Sequence, residues 1–433
     1  MLTEDKFYDK AESFNLYPSV DEKYYTYQEL EDKIKDLQTD KDGNLIVLYA
    51  QNKDEQYTYI ESAKEKGYEV LLLEKSEKPQ DTARGDHLQP AVCEILGKWN
   101  VLDHFFKSGA KKRAGSLWFD EDANFLMDAN VSKLDIPEPY FMFMNHEDIS
   151  NVFVSAANKN ESFSFMCPII SCAHIETNDD ESLFEIKSKD GTITTAATKM
   201  IMIADGVASN MGRYFNFERT SFRYERALAV LFSDEYEADE FNNLRTYLTD
   251  RGIVTMIPRA KGGCKIGLTI DRDEIKSWKK MSSEDYQTFI GKLVPAYKDL
   301  KMYSAGIYPP SMIIAENWAK DNIVLIGDAC HGLHPGRSQG MNTTIKCVDH
   351  LLGLIPPKDL FKKENVIKTL EQYQKEMKSN INELLEANHS MGLSMDNFDH
   401  QSKVDEIEKF KLLEQDKEAG HTYRMKSAGY GVF

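Results

Sequence analysis

The sequence predicts a mixed α/β protein that combines a parallel sheet, an antiparallel sheet and a C-terminal helical region. Residues 45–74 have the pattern strand, helix, strand, which is typical of a β-α-β unit with parallel strands. Residues 322–326 form a continuous apolar run, as in a strand buried on both faces, and a glycine-bearing turn and a helix at residues 341–352 follow it. Residues 214–320 alternate apolar and polar positions, which predicts an antiparallel sheet.

The composition argues against several classes of function. The 53 Lys and Arg against 71 Asp and Glu give a net charge of −18, so the chain lacks the basic footprint of a nucleic-acid binder. No apolar run has membrane-spanning length, and the N-terminal MLTEDKFYDK lacks the apolar core of a signal peptide, so we expect a cytoplasmic protein. The six cysteines form no C-x-x-C pair, and we expect buried thiols rather than a metal site.

The N-terminal part begins with a polar appendage at residues 1–42 that contains a predicted helix at residues 27–37. The β-α-β unit follows, with strands at residues 45–50 and 70–73 and a helix at residues 55–66. In a nucleotide-binding unit the first turn carries G-x-G-x-x-G, so that the backbone can approach a diphosphate. Here the turn has no glycine, and Asp54 and Glu55 stand at the helix start, where they would repel a phosphate.

The turn after residues 322–326 carries the strongest motif in the chain. Its matching positions are Gly327, Asp328, Ala329, Cys330, His331, Pro335, Gln339, Gly340, Met341 and Asn342. This pattern resembles the second flavin-binding motif of the class A flavoprotein monooxygenases, the single-component aromatic hydroxylases. The resemblance implies that Asp328 holds a ribityl hydroxyl of FAD and that Pro335 and Gly340 border the isoalloxazine ring. It also implies that Met341 and Asn342 begin a helix whose positive end faces the ring.

Three further stretches resemble motifs of the same family. Arg84 opens an R-G-D-x-L-x-P segment, in which the family's Arg reaches the FAD diphosphate. Asp205 and Gly206 belong to a segment that resembles A-D-G-x-x-S-x-x-R, the fingerprint that closes on FAD, although Arg213 is one residue further along than in the family. Glu74 follows a predicted strand, where the family's acidic residue bonds the adenosine ribose.

Residues 5–74, and above all residues 39–75, resemble a segment of the middle region of the HtpG-type heat-shock chaperones. In those proteins a similar β-α-β unit has no nucleotide role. We therefore favour a fusion in which a chaperone-like unit replaces the first nucleotide-binding unit, and the alternative is a coincidence of a common topology. In either case the two strands can join the parallel sheet.

The family resemblance also divides the chain. A Rossmann-like FAD-binding domain with a parallel sheet takes residues 43–113, 145–215 and 321–356, and an antiparallel-sheet substrate domain takes residues 114–144 and 216–320. Hairpins are predicted within residues 116–129 and at the glycines of residues 190–191 and 261–263. Residues 357–433 form a helical C-terminal region, and we expect its last thirteen residues, HTYRMKSAGYGVF, to be loosely held.

The resemblance implies a FAD-dependent monooxygenase that hydroxylates an aromatic or similar apolar small molecule. In that family NADPH or NADH reduces the flavin, O₂ adds to form a flavin hydroperoxide, and one oxygen passes to the substrate. The cofactor performs the difficult step, so no metal or catalytic triad is needed, and no residue is assignable as a substrate base. Two alternatives stay open: a flavin-less relic or interaction protein carrying the chaperone-like segment, and a flavin-dependent halogenase, whose W-x-W signature is absent from the chain.

Overall fold

The computed structural model describes residues 16–18, 24–26, 49–50, 68–77, 86–178, 180–356 and 361–431. The strands in these ranges are β1 (Leu16–Pro18), β2 (Tyr24–Thr26), β3 (Tyr49–Ala50), β4 (Val70–Leu73), β5 (His87–Leu88), β6 (Lys111–Arg113), β7 (Ser116–Asp120), β8 (Phe125–Asp128), β9 (Phe141–Phe143), β10 (Phe163–Met166), β11 (Ile169–Thr177), β12 (Ser182–Ser188), β13 (Ile193–Thr198), β14 (Ile201–Ile203), β15 (Arg219–Arg223), β16 (Arg226–Ser233), β17 (Leu244–Thr249), β18 (Gly252–Pro258), β19 (Cys264–Asp271), β20 (Ser304–Tyr308), β21 (Ser311–Ala315), β22 (Ala319–Lys320) and β23 (Ile323–Leu325). The helices are α1 (Pro90–Lys98), α2 (Leu102–Lys107), α3 (His146–Ala157), α4 (Asn210–Tyr214), α5 (Ile275–Trp278), α6 (Ser283–Leu293), α7 (Asp328–His331), α8 (Gln339–Leu354), α9 (Lys363–Asp396), α10 (His400–Gln415) and α11 (Lys417–Ser427).

A parallel sheet forms the centre of the predicted nucleotide-binding part. Within the described ranges its order is β10-β4-β3-β14-β23-β22, and every neighbouring pair is parallel except β22 with β23. Strand β4 is apolar at every position because both of its faces are buried. Val70 and Leu72 pack into one core cluster, and Leu71 and Leu73 pack into another on the opposite face. The predicted parallel pairing of residues 49–50 with β4 is thus observed, and the helices predicted at residues 27–37 and 55–66 lie outside the described residues.

An antiparallel sheet forms the second layer. In the described part of the chain its order is β20-β16-β19-β18-β17-β7-β8, with one parallel pair between β17 and β7. The predicted hairpin within residues 116–129 is observed as β7 and β8. One face of this sheet carries Leu231 and Ile266, which pack with Tyr286 and Ile290 of α6. The fold class expected from the sequence, a parallel sheet combined with an antiparallel sheet and C-terminal helices, is confirmed.

The described residues also form two three-stranded antiparallel sheets and two antiparallel strand pairs, β1 with β2 and β15 with β21. Strands β11, β12 and β13 form one of the three-stranded sheets, and its β12–β13 turn is the hairpin predicted at Asp190 and Gly191. Strands β5, β9 and β6 form the other, in that order, between the nucleotide-binding part and the large antiparallel sheet. No helix in the described ranges is both long and apolar enough to cross a membrane.

The C-terminal region is helical, as expected, but the prediction of a loosely held tail is wrong. Helix α11 continues to Ser427, and Ala428 is fully buried against Val131, Leu134 and Phe141. The polar sequence of α11 concealed this packing, because the helix rests on the body of the protein through few apolar side chains.

No disulfide joins any of the six cysteines, all of which are described, but the expectation that all are buried holds for only four of them. Cys93, Cys264, Cys330 and Cys347 are buried, and Cys167 and Cys172 are half-buried. The two exceptions flank the start of β11, whose outer face is largely exposed.

The β18–β19 turn provides a test of the fold with a matched control. A Cβ on Gly263 would lie 2.1 Å from the carbonyl oxygen of Ser233, whereas a Cβ on Gly262 would meet nothing within 4 Å, and both residues have positive φ. Gly262→Ala should cost about 1 kcal/mol through the backbone conformation alone. Gly263→Ala should carry the same backbone cost and, in addition, a steric overlap of its Cβ with the Ser233 carbonyl oxygen. It should therefore lower the free energy of unfolding by roughly 2–4 kcal/mol, measured by urea denaturation. Equal losses in the two variants would contradict this turn geometry.

Candidate functional site

Two neighbouring parallel strands bring two distant motifs to one edge of the sheet. In the register of β14 and β23, Ile203 lies opposite Leu325, and the Ile326 N–H donates to the Ile203 carbonyl at 2.9 Å. Asp205 and Asp328 therefore both follow the carboxyl ends of their strands at the same edge. Ligands of open α/β sheets bind at this edge.

The turn after β14 offers an acceptor beside open space. The Asp205 Oδ2 accepts the Met211 N–H at 2.9 Å, while its Oδ1 is buried and has no hydrogen-bond partner among the described residues. Gly206 has φ +77°, and a Cβ there would meet nothing within 4 Å. An incoming ligand can therefore approach the backbone at Gly206 and bond the Asp205 carboxylate.

The start of α8 lies beside Asp328. A Cβ added to Gly340 would have the Asp328 Oδ1, at 3.8 Å, as its one neighbour within 4 Å in the described structure. Ser338 precedes the helix in the left-handed region, with φ +51°, and makes no side-chain cap. The first N–H groups of a helix have no acceptor within it, and they carry the positive end of the helix dipole. This end of α8 is therefore suited to an electron-rich group.

The loop between α7 and α8, residues 334–338, is held by helix α9. Asn388 accepts the His334 N–H at 2.8 Å and donates to the His334 carbonyl at 3.0 Å. Burial lowers the pKa of His334 to about 4, so its ring is neutral and its Nδ1 accepts the Gly336 N–H at 3.1 Å. A Cβ on Gly336 would lie 2.8 Å from the Met395 sulfur and 2.9 Å from the Met391 sulfur. The loop thus has a fixed shape that the C-terminal region imposes.

Asn342 ties α8 to the segment that contains β5. The side chain is fully buried, its Oδ1 accepts the Gln89 N–H at 2.8 Å, and its Nδ2 donates to the carbonyls of His87 at 3.3 Å and Ser338 at 2.9 Å. All of its polar atoms are engaged with backbone. The amide therefore fixes the helix start in place.

Residues 427–431, which we call the strap, fasten the C-terminal region to the start of α1 and to α8. Gln89 donates through Nε2 to the Ser427 carbonyl at 3.0 Å, and the Lys346 Nζ of α8 donates to the Gly429 carbonyl at 2.8 Å. The Ala91 N–H, at the start of α1, donates to the Ala428 carbonyl at 3.1 Å. Gln89 therefore connects the start of α8 to the end of the chain.

The remaining residues predicted for the site fall into three groups. Glu74 follows β4 at the same carboxyl edge, and its Oε1 accepts the Ser76 N–H at 2.7 Å. Arg84 and the glycine-free turn at residues 51–55 lie outside the described residues. Pro335 and Met341 are half-buried at the loop and the helix start. His146, at the start of α3, is half-buried, and the preceding Asn145 is buried.

The arginine that acts on the turn after β14 is not the one suggested by the motif. Arg213 is exposed and donates to Asn210 on its own helix. Arg219 instead donates to the carbonyls of Val207 at 3.0 Å, Ala208 at 3.1 Å and Ser209 at 3.3 Å. No local pattern signalled this contact, since Arg219 reaches the turn from β15.

Comparison with known proteins decides the family. A family model described as FAD binding domain matches residues 64–380, which is well over half of the chain. The chain belongs to the FAD binding domain family. The p-nitrophenol 4-monooxygenase PnpA of Pseudomonas putida has a similar fold, with a TM-score of 0.76 at 16% identity over 89% of this chain and 98% of that one.

Two curated relatives match different parts of this FAD binding domain protein. The ubiquinone hydroxylase UbiM of Neisseria meningitidis is 22% identical over 316 residues, which cover 67% of this chain and 64% of the relative. The chaperone protein htpG of Bacteroides fragilis is 62% identical over 74 residues, 17% of this chain and 11% of the chaperone's length. The two resemblances stated from the sequence, to the flavin monooxygenases and to the HtpG-type chaperones, are both confirmed.

The sheet edge that carries Asp205 and Asp328 is suited to the ring end of FAD. The open space at Gly206 and Gly340, the unpartnered Oδ1 of Asp205 and the positive end of α8 all suit a polar, electron-rich ring system. The positions at which the family binds the diphosphate, the turn after β3 and Arg84, are among the residues that the structure does not describe.

The strap provides a prediction with a matched control. A Cβ on Gly429 would lie 2.9 Å from the Gln89 Oε1 and 3.0 Å from the Lys346 Nζ, whereas a Cβ on Gly431 would be no nearer than 3.8 Å to any neighbour. Both glycines have positive φ. Gly429→Ala should weaken FAD binding roughly fivefold, about 1 kcal/mol, because it displaces Gln89 from the start of α8. Gly431→Ala should leave the affinity unchanged in a fluorescence titration with FAD, and an equal effect of both variants would refute the link between strap and site.

Proposed function

We propose that this chain is a FAD-dependent monooxygenase that hydroxylates an aromatic or similar apolar small molecule, with NADPH or NADH as electron donor. The observation that carries the proposal is the meeting of Asp205, Gly206 and the Asp328–Gly340 pair at one sheet edge, next to the positive end of α8. The family membership and the names of the hydroxylase UbiM and the monooxygenase PnpA support the same conclusion.

The residues of the site have separate tasks under this proposal. Asp328 and Asp205 accept hydroxyl or ring N–H groups of FAD, and the backbone at Gly340 and Met341 stabilises negative charge at the ring edge. Pro335 holds the loop beside the ring. Glu74 and Arg84 serve the adenosine and diphosphate end. When bound, FAD supplies electron transfer from the nicotinamide and the activation of O₂, and the protein supplies orientation and a dry chamber.

The large antiparallel sheet supplies the apolar wall of that chamber. Side chains alternate across a strand, so Leu228 and Val230 of β16 face away from the helix-covered core that holds Ala229 and Leu231. On the neighbouring β19, Lys265 lies on the same outer face and pairs with Asp86 of the nucleotide-binding part. This face of the sheet is thus turned toward Asp86 and β5, which lie beside the proposed flavin site.

The alternative is a protein that binds no flavin and acts through its chaperone-like segment. The glycine-free turn with two carboxylates at residues 51–55 favours it. A colourless purified protein that does not bind added FAD would support this alternative.

The role of Asp328 is tested by cofactor retention. Asp328→Ala removes the acceptor beside Gly340 and should release FAD during purification, whereas Asp299→Ala, which changes an exposed aspartate, should retain it. The ratio of flavin absorbance to protein absorbance is the measurement. Full retention of FAD by Asp328→Ala would remove this residue from the site.

The reaction itself is tested with FAD-loaded protein. A panel of aromatic compounds should include at least one that accelerates the oxidation of NADPH or NADH and acquires one oxygen atom from isotopically labelled O₂. A FAD-loaded protein that oxidises the nicotinamide only to produce hydrogen peroxide with every compound would contradict the proposed oxygen transfer.

A further inference from the structure

The turn that carries Asp205 and Gly206 has an uncommon backbone conformation. Ser209, which ends the turn, has φ +22° and ψ 85°, values that a residue with a Cβ rarely adopts. Its Oγ accepts the Gly212 N–H at 3.1 Å, which fixes the start of α4. A conformation of this kind persists where the surrounding structure imposes it, so we looked for the contact that holds the rest of the turn.

Arg219 makes this contact. Its guanidinium donates to the carbonyls of three consecutive residues, Val207, Ala208 and Ser209, at 3.0, 3.1 and 3.3 Å. Their carbonyls are thereby directed toward β15, while a Cβ on Gly206 would meet nothing within 4 Å in the described structure. Three carbonyls that converge on one cation fix the backbone of the turn, and the turn keeps its open side for a ligand.

The strand that carries Arg219 belongs to a two-stranded ribbon, β15 with β21, that also contacts the second turn of the site. Arg219 lies opposite Ala315 in this ribbon, and Ser221 lies opposite Ile313. Ile313 pairs with Gly332, four residues after Asp328, and Ile314 pairs with His331. The ribbon therefore contacts both the turn after β14 and the turn after β23.

The two turns also contact each other at Gly332. A Cβ on Gly332 would lie 3.4 Å from the Val207 Cγ1 and 3.4 Å from the Ile313 Cβ. Val207 is also the residue whose carbonyl Arg219 holds at 3.0 Å. The contacts therefore close on themselves, from Arg219 to Val207, to Gly332, to Ile313 and back through the ribbon. Because interiors are closely packed, no member of such a set moves alone, and the separation of the two turns is fixed.

The other end of the ribbon is anchored to helix α9. The N–H groups of Glu225 and Arg226, which follow β15, donate to the Asp396 carboxylate at 2.8 and 2.9 Å. The Arg272 Nε donates to the Tyr224 carbonyl at 2.9 Å. The ribbon is thus supported at both ends, and its support determines where Arg219 lies.

We propose that Arg219 is a positioning residue of the flavin site, which holds the Asp205–Gly206 turn at a fixed separation from the Asp328–Gly340 side of the edge through the β15–β21 ribbon. It takes the place that the sequence motif assigns to Arg213. This inference rests on the proposed function and adds a residue that acts on FAD only through the turn.

The test titrates the wild type and three variants with FAD and follows the quenching of flavin fluorescence. Arg219→Met should weaken FAD binding at least about tenfold, because the three carbonyls lose the cation on which they converge. Arg219→Lys keeps the positive charge but not the planar fork of donors, so its affinity should lie between those of Arg219→Met and the wild type. Arg213→Met, which changes an exposed arginine of α4, should stay within about twofold of the wild type. Equal losses in Arg219→Met and Arg213→Met would overturn the proposal.

A double variant separates positioning from general stabilisation of the fold. If Arg219 acts through the Asp205 turn, Arg219→Met should cost at most about threefold in FAD affinity when Asp205→Ala is already present, against about tenfold in the wild type. Ethylguanidinium, which supplies the missing cation, should partly restore FAD binding to Arg219→Ala and should not restore it to Asp205→Ala. A role in stability alone predicts the same fold loss in both backgrounds and no rescue, and that result contradicts positioning.

Hydrogen exchange of the wild-type protein gives a test that needs no variant. FAD bound at both turns should slow amide exchange at residues 206–212 and also along the ribbon, at residues 219–223 and 311–315, because these segments are held as one unit. Exchange in α6, on the opposite face of the large sheet, should not change. Slower exchange in the turn with an unchanged ribbon would overturn the proposal even if Arg219→Met does not fold.

The same measurements distinguish this inference from the proposed function. FAD binding that depends on Arg219, without oxygen transfer to any compound, would contradict the proposed reaction and leave the positioning role intact. Wild-type protein that binds FAD with no dependence on Arg219 would contradict the positioning role alone. Wild-type protein that binds no FAD would contradict both.

Discussion

The parallel pairing of β14 with β23 is the constraint on which the site depends. It places Asp205 and Asp328, which are far apart in sequence, at one edge of the parallel sheet. Neither motif alone indicates a binding site, because an Asp-Gly turn after a strand is common in proteins. Their shared edge, with an open backbone at Gly206 and a helix end beside Asp328, is what makes the pair a candidate FAD site.

The C-terminal region gives this edge its rigidity. Helix α9 holds the loop at residues 334–338 through Asn388 and two methionines, and the strap at residues 427–431 holds Gln89, which in turn bonds Asn342. A cofactor site gains accuracy when the groups around it are themselves fixed by hydrogen bonds. The far end of the chain therefore contributes to the site through the loop at residues 334–338 and through Gln89.

Periodicity and turn chemistry predicted several strands of both large sheets, whereas contacts between distant parts of the chain could not be predicted. The apolar run of β23 and the alternation in β18 and β19 predicted strands that the structure has, because each face of a strand must match its surroundings. The Asn342–Gln89 contact could not be predicted, since its partners lie in two separate motifs that are 253 residues apart, and neither motif indicates that it contacts the other. The burial of Lys265 could not be predicted for a related reason. Alternation places its side chain on the outer face of β19, and only the tertiary structure shows that this face is covered.

The chaperone-like resemblance and the flavin resemblance meet at the first strands of the parallel sheet. Strand β3 lies between β4 and β14, and the sequence predicts that the FAD diphosphate binds at residues 51–55, which follow β3 but include two carboxylates and no glycine. The proposed function therefore requires the ring end of FAD to supply most of the affinity. The most direct test is a titration of the purified wild-type chain with FAD, in which we expect saturable binding of one FAD per chain, with quenched flavin fluorescence. A colourless protein whose addition leaves the fluorescence of FAD unchanged at every concentration would contradict a flavin site at this edge.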